Sequence, residues 1–199
     1  MAPGAGATPG ATPDEGPPGP VEPLRRLAHA NALANRRLHD ACARLSPAEL
    51  TAERTAFFPT IRLTLNHILI VDWYYMDALE GGEAGYDLRD EDEPFTDLPA
   101  LAAAQAAADR RLVAFCDTLT PEAAGRAATL VRPTGRFVER VDSILLHLFL
   151  HQVHHRGQVH AMLSGTSVPP PQLDEFLLTQ DAPVWAAEVA ALGWPPEAT

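Results

Sequence analysis

The sequence has little cysteine and no long run of apolar residues. Its two cysteines, Cys42 and Cys116, lie far apart and form no C-x-x-C pair, so we expect small core residues of a protein kept in a reducing compartment. No stretch approaches the roughly 20 apolar residues of a membrane span, and the first residues lack the basic-then-apolar order of a signal peptide. These absences predict a cytoplasmic protein with no membrane partner.

Basic side chains are also scarce. The chain carries 15 Lys and Arg against 26 Asp and Glu, a formal charge of −11, which repels a phosphate backbone as well as an anionic membrane surface. A direct nucleic-acid partner is therefore not expected. With 199 residues, 46% of them hydrophobic, the chain is long enough for one globular domain with its own core.

The pattern along the chain predicts a tail followed by a helical domain. Proline and glycine make up more than half of residues 1–20, so residues 1–22 are predicted to be disordered and residues 23–199 to form the domain. Residues 129–138 alternate around Pro-Thr-Gly and predict a short hairpin or an extended link. Apolar residues at three- and four-residue steps predict helices over about 23–44, 60–80, 99–119 and 138–164, with a short C-terminal helix over about 181–192.

Three histidines occupy positions typical of a metal site. His151 and His155 are four residues apart, so they lie on one face of the longest predicted helix, and His67 lies on the apolar face of another. Three imidazoles leave at least one position open on a divalent ion, which favours a reactive site over a structural one. The alternative is a set of buried, hydrogen-bonded histidines. These helix faces carry no carboxylate, which argues against a ferritin-like di-iron centre.

Five further residues are candidates for supporting roles. Tyr74 is predicted to be a proton donor or substrate contact, with a packing aromatic as the alternative. Gln158 and Asn35 are inward polar residues that either contact a bound ligand or form structural hydrogen bonds to a neighbouring helix. His147 and His154 flank the histidine pair and are expected to support its ligands rather than bind the ion.

Several motifs together resemble the DinB-like family. They are HQVHHRGQVHAML on the last long helix, TLNHIL on the second, ALANRRL on the first and PPPQLDEFLL after the last. The resemblance, over about residues 23–180, implies an all-α four-helix bundle with up-down-down-up topology, often dimeric, in which His67, His151 and His155 hold one divalent ion. The long 81–97 connection agrees with such a crossover. Histidine ligands suit Zn, Ni or Fe without choosing among them.

The predicted site favours an enzyme. An open metal position binds a thiol or water, lowers its pKa and presents the anion to an electrophile. Family members with known activity include S-transferases and isomerases that use low-molecular-weight thiols, so the resemblance implies a thiol transferase-like enzyme acting on a small molecule, with such a thiol as a second candidate cofactor. Activation of water at the open position would instead predict a hydrolase. The alternative is a non-catalytic, stress- or damage-inducible protein whose metal ion stabilises the bundle.

Overall fold

A computed structural model describes residues 19–85 and 92–195. Within these ranges the protein is mostly helical, with one small antiparallel sheet. The elements are α1 (Glu22–Cys42), α2 (Pro47–Thr51), α3 (Ile61–Leu79), α4 (Leu98–Asp117), α5 (Pro121–Ala124), β1 (Ala127–Arg132), β2 (Gly135–Arg140), α6 (Val141–Leu163), a 3-10 helix (Thr179–Asp181) and α7 (Ala182–Ala191). The five predicted helices are confirmed to within about three residues, and α2 and α5 were not predicted.

The hairpin corrects the expectation of a strictly all-α chain. β1 pairs with β2 from Ala127↔Arg140 to Arg132↔Gly135, which confirms the predicted hairpin and lengthens it. Gly135 at the turn has a φ of +135°. Glycine adopts this conformation readily because it has no Cβ to clash with the backbone. Because residues 138–140 belong to β2, α6 begins at Val141 rather than at 138.

Short polar side chains fix where the long helices begin. The Thr60 side chain accepts a hydrogen bond from the backbone N–H of Leu63 at 3.1 Å, and Asp97 accepts one from Ala100 at 3.0 Å. Such caps satisfy backbone donors that have no partner within the helix. The cap at Thr60 therefore sets the register of α3, the helix that carries His67.

Two apolar clusters fill the space between the four long helices. One contains the first half of α1 and α6 and the second half of α3 and α4, together with Leu130 of the hairpin. The other contains the second half of α1 and α6 and the first half of α3 and α4. Cys42 and Cys116 are buried and free within these clusters, as the sequence predicts, and burial raises the pKa of both thiols to about 12.

The remaining parts of the chain lie around this core. Trp185 and Val189 of α7 pack against Leu33 of α1. Most of the predicted tail, residues 1–18, lies outside the described residues, but Val21 is buried in the first cluster and α1 begins at Glu22. Among the described helices, none combines the length and apolarity needed to cross a bilayer.

Candidate metal centre

The structure brings together the three histidines singled out in the sequence. His67 lies on α3, and His151 and His155 lie one turn apart on α6, which packs against α3. One ring nitrogen from each histidine lies within 4.8 Å of the others, and Nε2 of His67 is 3.0 Å from Nε2 of His151. We call these three residues the histidine cluster. Among the described residues, it is the one group of three or more potential ligands that is compact enough for a metal ion.

Hydrogen bonding fixes the tautomer of His155. Its Nδ1 lies 2.8 Å from Oε1 of Gln158, and because an amide oxygen only accepts, Nδ1 carries the proton and Nε2 keeps its lone pair. The side-chain amide of Gln158 in turn donates to Nε2 of His154 at 3.3 Å. Burial lowers the pKa of His155 from its ordinary value, which favours the neutral form that a metal ion requires.

A phenylalanine in the loop before α3 covers part of the histidine cluster. The ring of Phe58 lies 4.2 Å from that of His67 and 5.7 Å from that of His155, measured between centroids. Phe58 was not predicted as a site residue, although the run Phe57-Phe58-Pro59 is present in the sequence. It signals only an apolar loop, because nothing in its spacing shows which side chain turns inward. Phe57 is 82% exposed and Phe58 half-buried.

The other predicted site residues lie at different distances from the cluster. His154 adjoins His155, and Gln158 bonds to both of these histidines on its own helix, whereas a bound ligand or a neighbouring helix was the predicted partner of Gln158. Tyr74 is buried two helical turns beyond His67, about 10 Å along the helix axis, and its hydroxyl lies 3.4 Å from Nε of Arg132 on the hairpin. His147 is exposed and its ring lies 5.3 Å from that of Tyr75.

Asn35 has a structural role that the sequence left open. Its side-chain amide donates to Asp109 of α4 at 2.8 Å, and its oxygen accepts from Nη1 of Arg156 of α6 at 3.0 Å. All three side chains are at least 94% buried. Asn35 thus links α1, α4 and α6 in the interior, which is the structural alternative to its predicted ligand contact.

This contact belongs to a buried polar layer between the two apolar clusters. Asp72 of α3 accepts hydrogen bonds from Gln105 at 2.7 Å and from Gln152 at 2.5 Å, and Asp109 accepts a further one from Gln105 at 3.2 Å. Asp72 lies about 140° around α3 from His67, so it is off the histidine face, and it was not predicted as a functional residue. The polar layer consists of Asn31, Asn35, Asp72, Gln105, Asp109, Gln152 and Arg156.

The two carboxylates of the polar layer compete for one cation. Burial raises the pKa of Asp72 to about 6, against the hydrogen bonds of Gln105 and Gln152. Burial, followed by repulsion from Asp72, raises the pKa of Asp109 to about 7. Burial also lowers the pKa of Arg156 to about 10, which leaves it charged at neutral pH. One buried cation faces two buried acids, and one of the acids retains a proton well above its ordinary range.

The donor set of the histidine cluster fits a divalent transition metal. In a tetrahedral site, nitrogens bonded at about 2.0–2.1 Å lie about 3.3–3.4 Å apart. The His67–His151 separation is 3.0 Å, and one nitrogen from each of the three rings lies within 4.8 Å of the others. The fold and the cluster together define a helical protein with a three-histidine group held between two of its long helices. The model of the DinB family matches residues 21–187, and the chain belongs to that family. Comparison with curated proteins gives no match.

Proposed function

We propose that the histidine cluster binds one divalent metal ion. The observation that carries this proposal is the approach of three imidazole nitrogens to within 4.8 Å from two different helices. The Gln158 hydrogen bond supports it, because it holds His155 in the tautomer whose Nε2 is free to bind. Zinc, nickel and iron all suit this donor set.

We also propose that the bound ion serves an enzyme, a thiol transferase or a hydrolase. The ion would lower the pKa of a bound thiol or water, so that the anion is available near neutral pH. His67 and His151 are only half-buried, and this partial exposure supports access of a small molecule to the cluster. Phe58 adds an apolar wall beside His67 that would contact a substrate and displace water.

A screen coupled to metal analysis tests the catalytic proposal. Protein loaded with zinc, nickel or iron is incubated with low-molecular-weight thiols and electrophilic acceptors, and with ester and amide substrates, and products are identified by mass spectrometry. We expect turnover with one substrate class that disappears with EDTA and in His151→Ala. Turnover that survives both treatments would place the chemistry elsewhere in the chain.

A metal ion that stabilises the protein without catalysis is the second candidate. The histidine cluster joins α3 to α6, so a bound ion would cross-link two long helices. Such a protein would be expressed in response to stress or DNA damage. Its melting temperature should depend on the metal ion, and it should show no turnover in the same screen. The partial exposure of His67 and His151 favours the enzyme.

For the architecture, we propose an up-down-down-up four-helix bundle. Support comes from the two apolar clusters, in which the first halves of α1 and α6 meet the second halves of α3 and α4. The hydrogen-bonded pairs His29–Asp117 and Asn35–Asp109 also place α1 antiparallel to α4. The homodimer and the cytoplasmic location stay predictions. Light scattering of the purified protein tests the dimer.

A further inference from the structure

A cavity that opens to solvent lies on the side of α6 away from the histidine cluster. It has a volume of about 760 Å³ and is bordered by α1, α6 and the segment 170–177. Its wall is mainly apolar, and includes Leu27, Phe149, Val153, Phe176 and Leu177. Small-molecule sites in proteins commonly have volumes of roughly 300–1,000 Å³, with apolar walls and a few polar groups. We call this space the α1–α6 cavity.

Arg156 is the buried cation among the polar residues that line this cavity, which also include Asn31, His160, Gln172 and Asp174. The side chain is 6% exposed and lines the cavity. Its hydrogen bonds all leave from Nη1, to the side-chain oxygens of Asn31, Asn35 and Gln152. Within the described residues, Nε and Nη2 make no hydrogen bond, and Asp109 and Asp72 attract the guanidinium at longer range. These two N–H groups form the side of an arginine that matches the two oxygens of a carboxylate.

The α1–α6 cavity is separate from the histidine cluster. The wall residues Phe149, Val153 and Arg156 follow one another at four- and three-residue steps on α6. At about 100° per residue, this stripe lies roughly opposite the side that carries His151 and His155. The two sites therefore use different faces of the same helix and share no lining residue.

We propose that the α1–α6 cavity binds a small organic acid with an apolar chain. The carboxylate would accept from Nε and Nη2 of Arg156, and the chain would lie against Leu27, Phe149 and Phe176. Asn31, Asn35 and Gln152 hold the guanidinium through Nη1, so the free edge is preorganised. Asp174 also lines the cavity but is exposed, where water screens its charge. Asp72 and Asp109 attract the same guanidinium from the interior, but burial raises the pKa of both, so that one of them retains a proton.

Calorimetric titration with octanoate tests this proposal. The full chain is first stripped of metal with EDTA, so that the carboxylate cannot bind to an ion at the histidine cluster. We expect saturable binding of one octanoate per chain, at least tenfold tighter than binding of octanamide, which has the same length but no charge. Equal affinity for the two compounds, or no binding of octanoate, would overturn the proposal.

Two variants of α6 provide a matched test that does not depend on Arg156. Gly157 lines the cavity, and a Cβ added there meets nothing within 4 Å, so Gly157→Leu should fill the cavity and leave the helix intact. Ala161→Leu adds similar bulk to an exposed position that does not line the cavity. We expect Gly157→Leu to weaken octanoate binding at least tenfold and Ala161→Leu to leave it unchanged. Undiminished binding in Gly157→Leu would contradict the proposal.

Arg156→Lys and His151→Ala complete the experiment. Arg156→Lys retains a cation but removes the paired N–H groups, and we expect at least tenfold weaker octanoate binding in a protein whose circular dichroism shows that it folds. His151→Ala removes a proposed metal ligand and should bind octanoate as the wild type does. The two sites have separate residues, so each proposal can fail alone. A protein that binds no octanoate can still bind the metal ion, and a protein that binds no metal ion can still bind octanoate.

Discussion

Nε2 of His67 and Nε2 of His151 lie 3.0 Å apart, although the two residues are 84 positions apart in the chain. A hydrogen bond at this distance needs one nitrogen with a proton and one without, so at least one of the two rings is neutral. A divalent ion would replace that proton and bind both lone pairs. With His155 one turn beyond His151, the contact explains why a metal would join α3 to α6.

Gln158 is expected to tune metal affinity without binding the ion. Replacing it with Leu removes the acceptor that holds Nδ1 of His155 at 2.8 Å, so the ring loses its fixed orientation and tautomer. Loss of such a partner commonly weakens metal binding by about 10- to 100-fold. Calorimetric titration of zinc into the metal-free proteins measures the change.

The matched control for this prediction is Gln158→Glu. A carboxylate at the same position still accepts from Nδ1 of His155, so zinc affinity should stay within a fewfold of the wild-type value. If Gln158→Leu bound zinc as tightly as the wild type, the hydrogen bond would have no role in the site.

The buried carboxylate of Asp109 is expected to make stability fall as pH rises. Its pKa is raised from 3.8 to about 7, so between these values the folded state holds a proton that the unfolded state has lost. The unfolding free energy contributed by this group therefore decreases from about pH 4 to pH 7. Urea unfolding of the metal-free proteins at pH 4.5 and 7.5 gives the loss of unfolding free energy between the two pH values. This loss should be smaller in Asp109→Asn than in the wild type, by on the order of 2 kcal/mol. An unchanged pH profile would show that Asp109 is ionised in the fold.

His39 is expected to have the opposite effect on the pH dependence of stability. Burial lowers its pKa from 6.5 to about 4, so between these values the unfolded state binds the extra proton, and stability falls as pH decreases through this range. Its Nδ1 is buried with no hydrogen-bond partner among the described residues. His39→Leu should therefore raise the melting temperature, relative to the wild type, by several degrees more at pH 5 than at pH 8. Equal differences at the two pH values would contradict the assignment of His39 as a buried neutral residue.

The sequence predicts the long helices and the histidine cluster for the same reason. Both depend on helical periodicity, which places His151 and His155 on one face and identifies the apolar side of α3 around His67. The alternation around Pro-Thr-Gly predicted a short hairpin or an extended link, and the structure shows the hairpin. Periodicity does not show how one helix is rotated relative to another. The contacts of Asn35 and Tyr74 depend on that rotation, so they could not be predicted from the sequence.

The polar layer could not be predicted for a related reason. Asp72, Asp109 and Arg156 are charged residues that would ordinarily lie at the surface, and only tertiary contacts from three helices make their burial tolerable. In the structure the hydrogen bonds of Arg156 go to Asn31, Asn35 and Gln152, and both carboxylates attract it.

The central claim is that His67, His151 and His155 hold one divalent ion, and metal stoichiometry tests it most directly. Elemental analysis after zinc loading and desalting should give one zinc per chain for the wild type. It should give one for His160→Ala, which removes a histidine of α6 outside the cluster, and less than a tenth of that for His151→Ala. One zinc per chain in a folded His151→Ala would contradict the account.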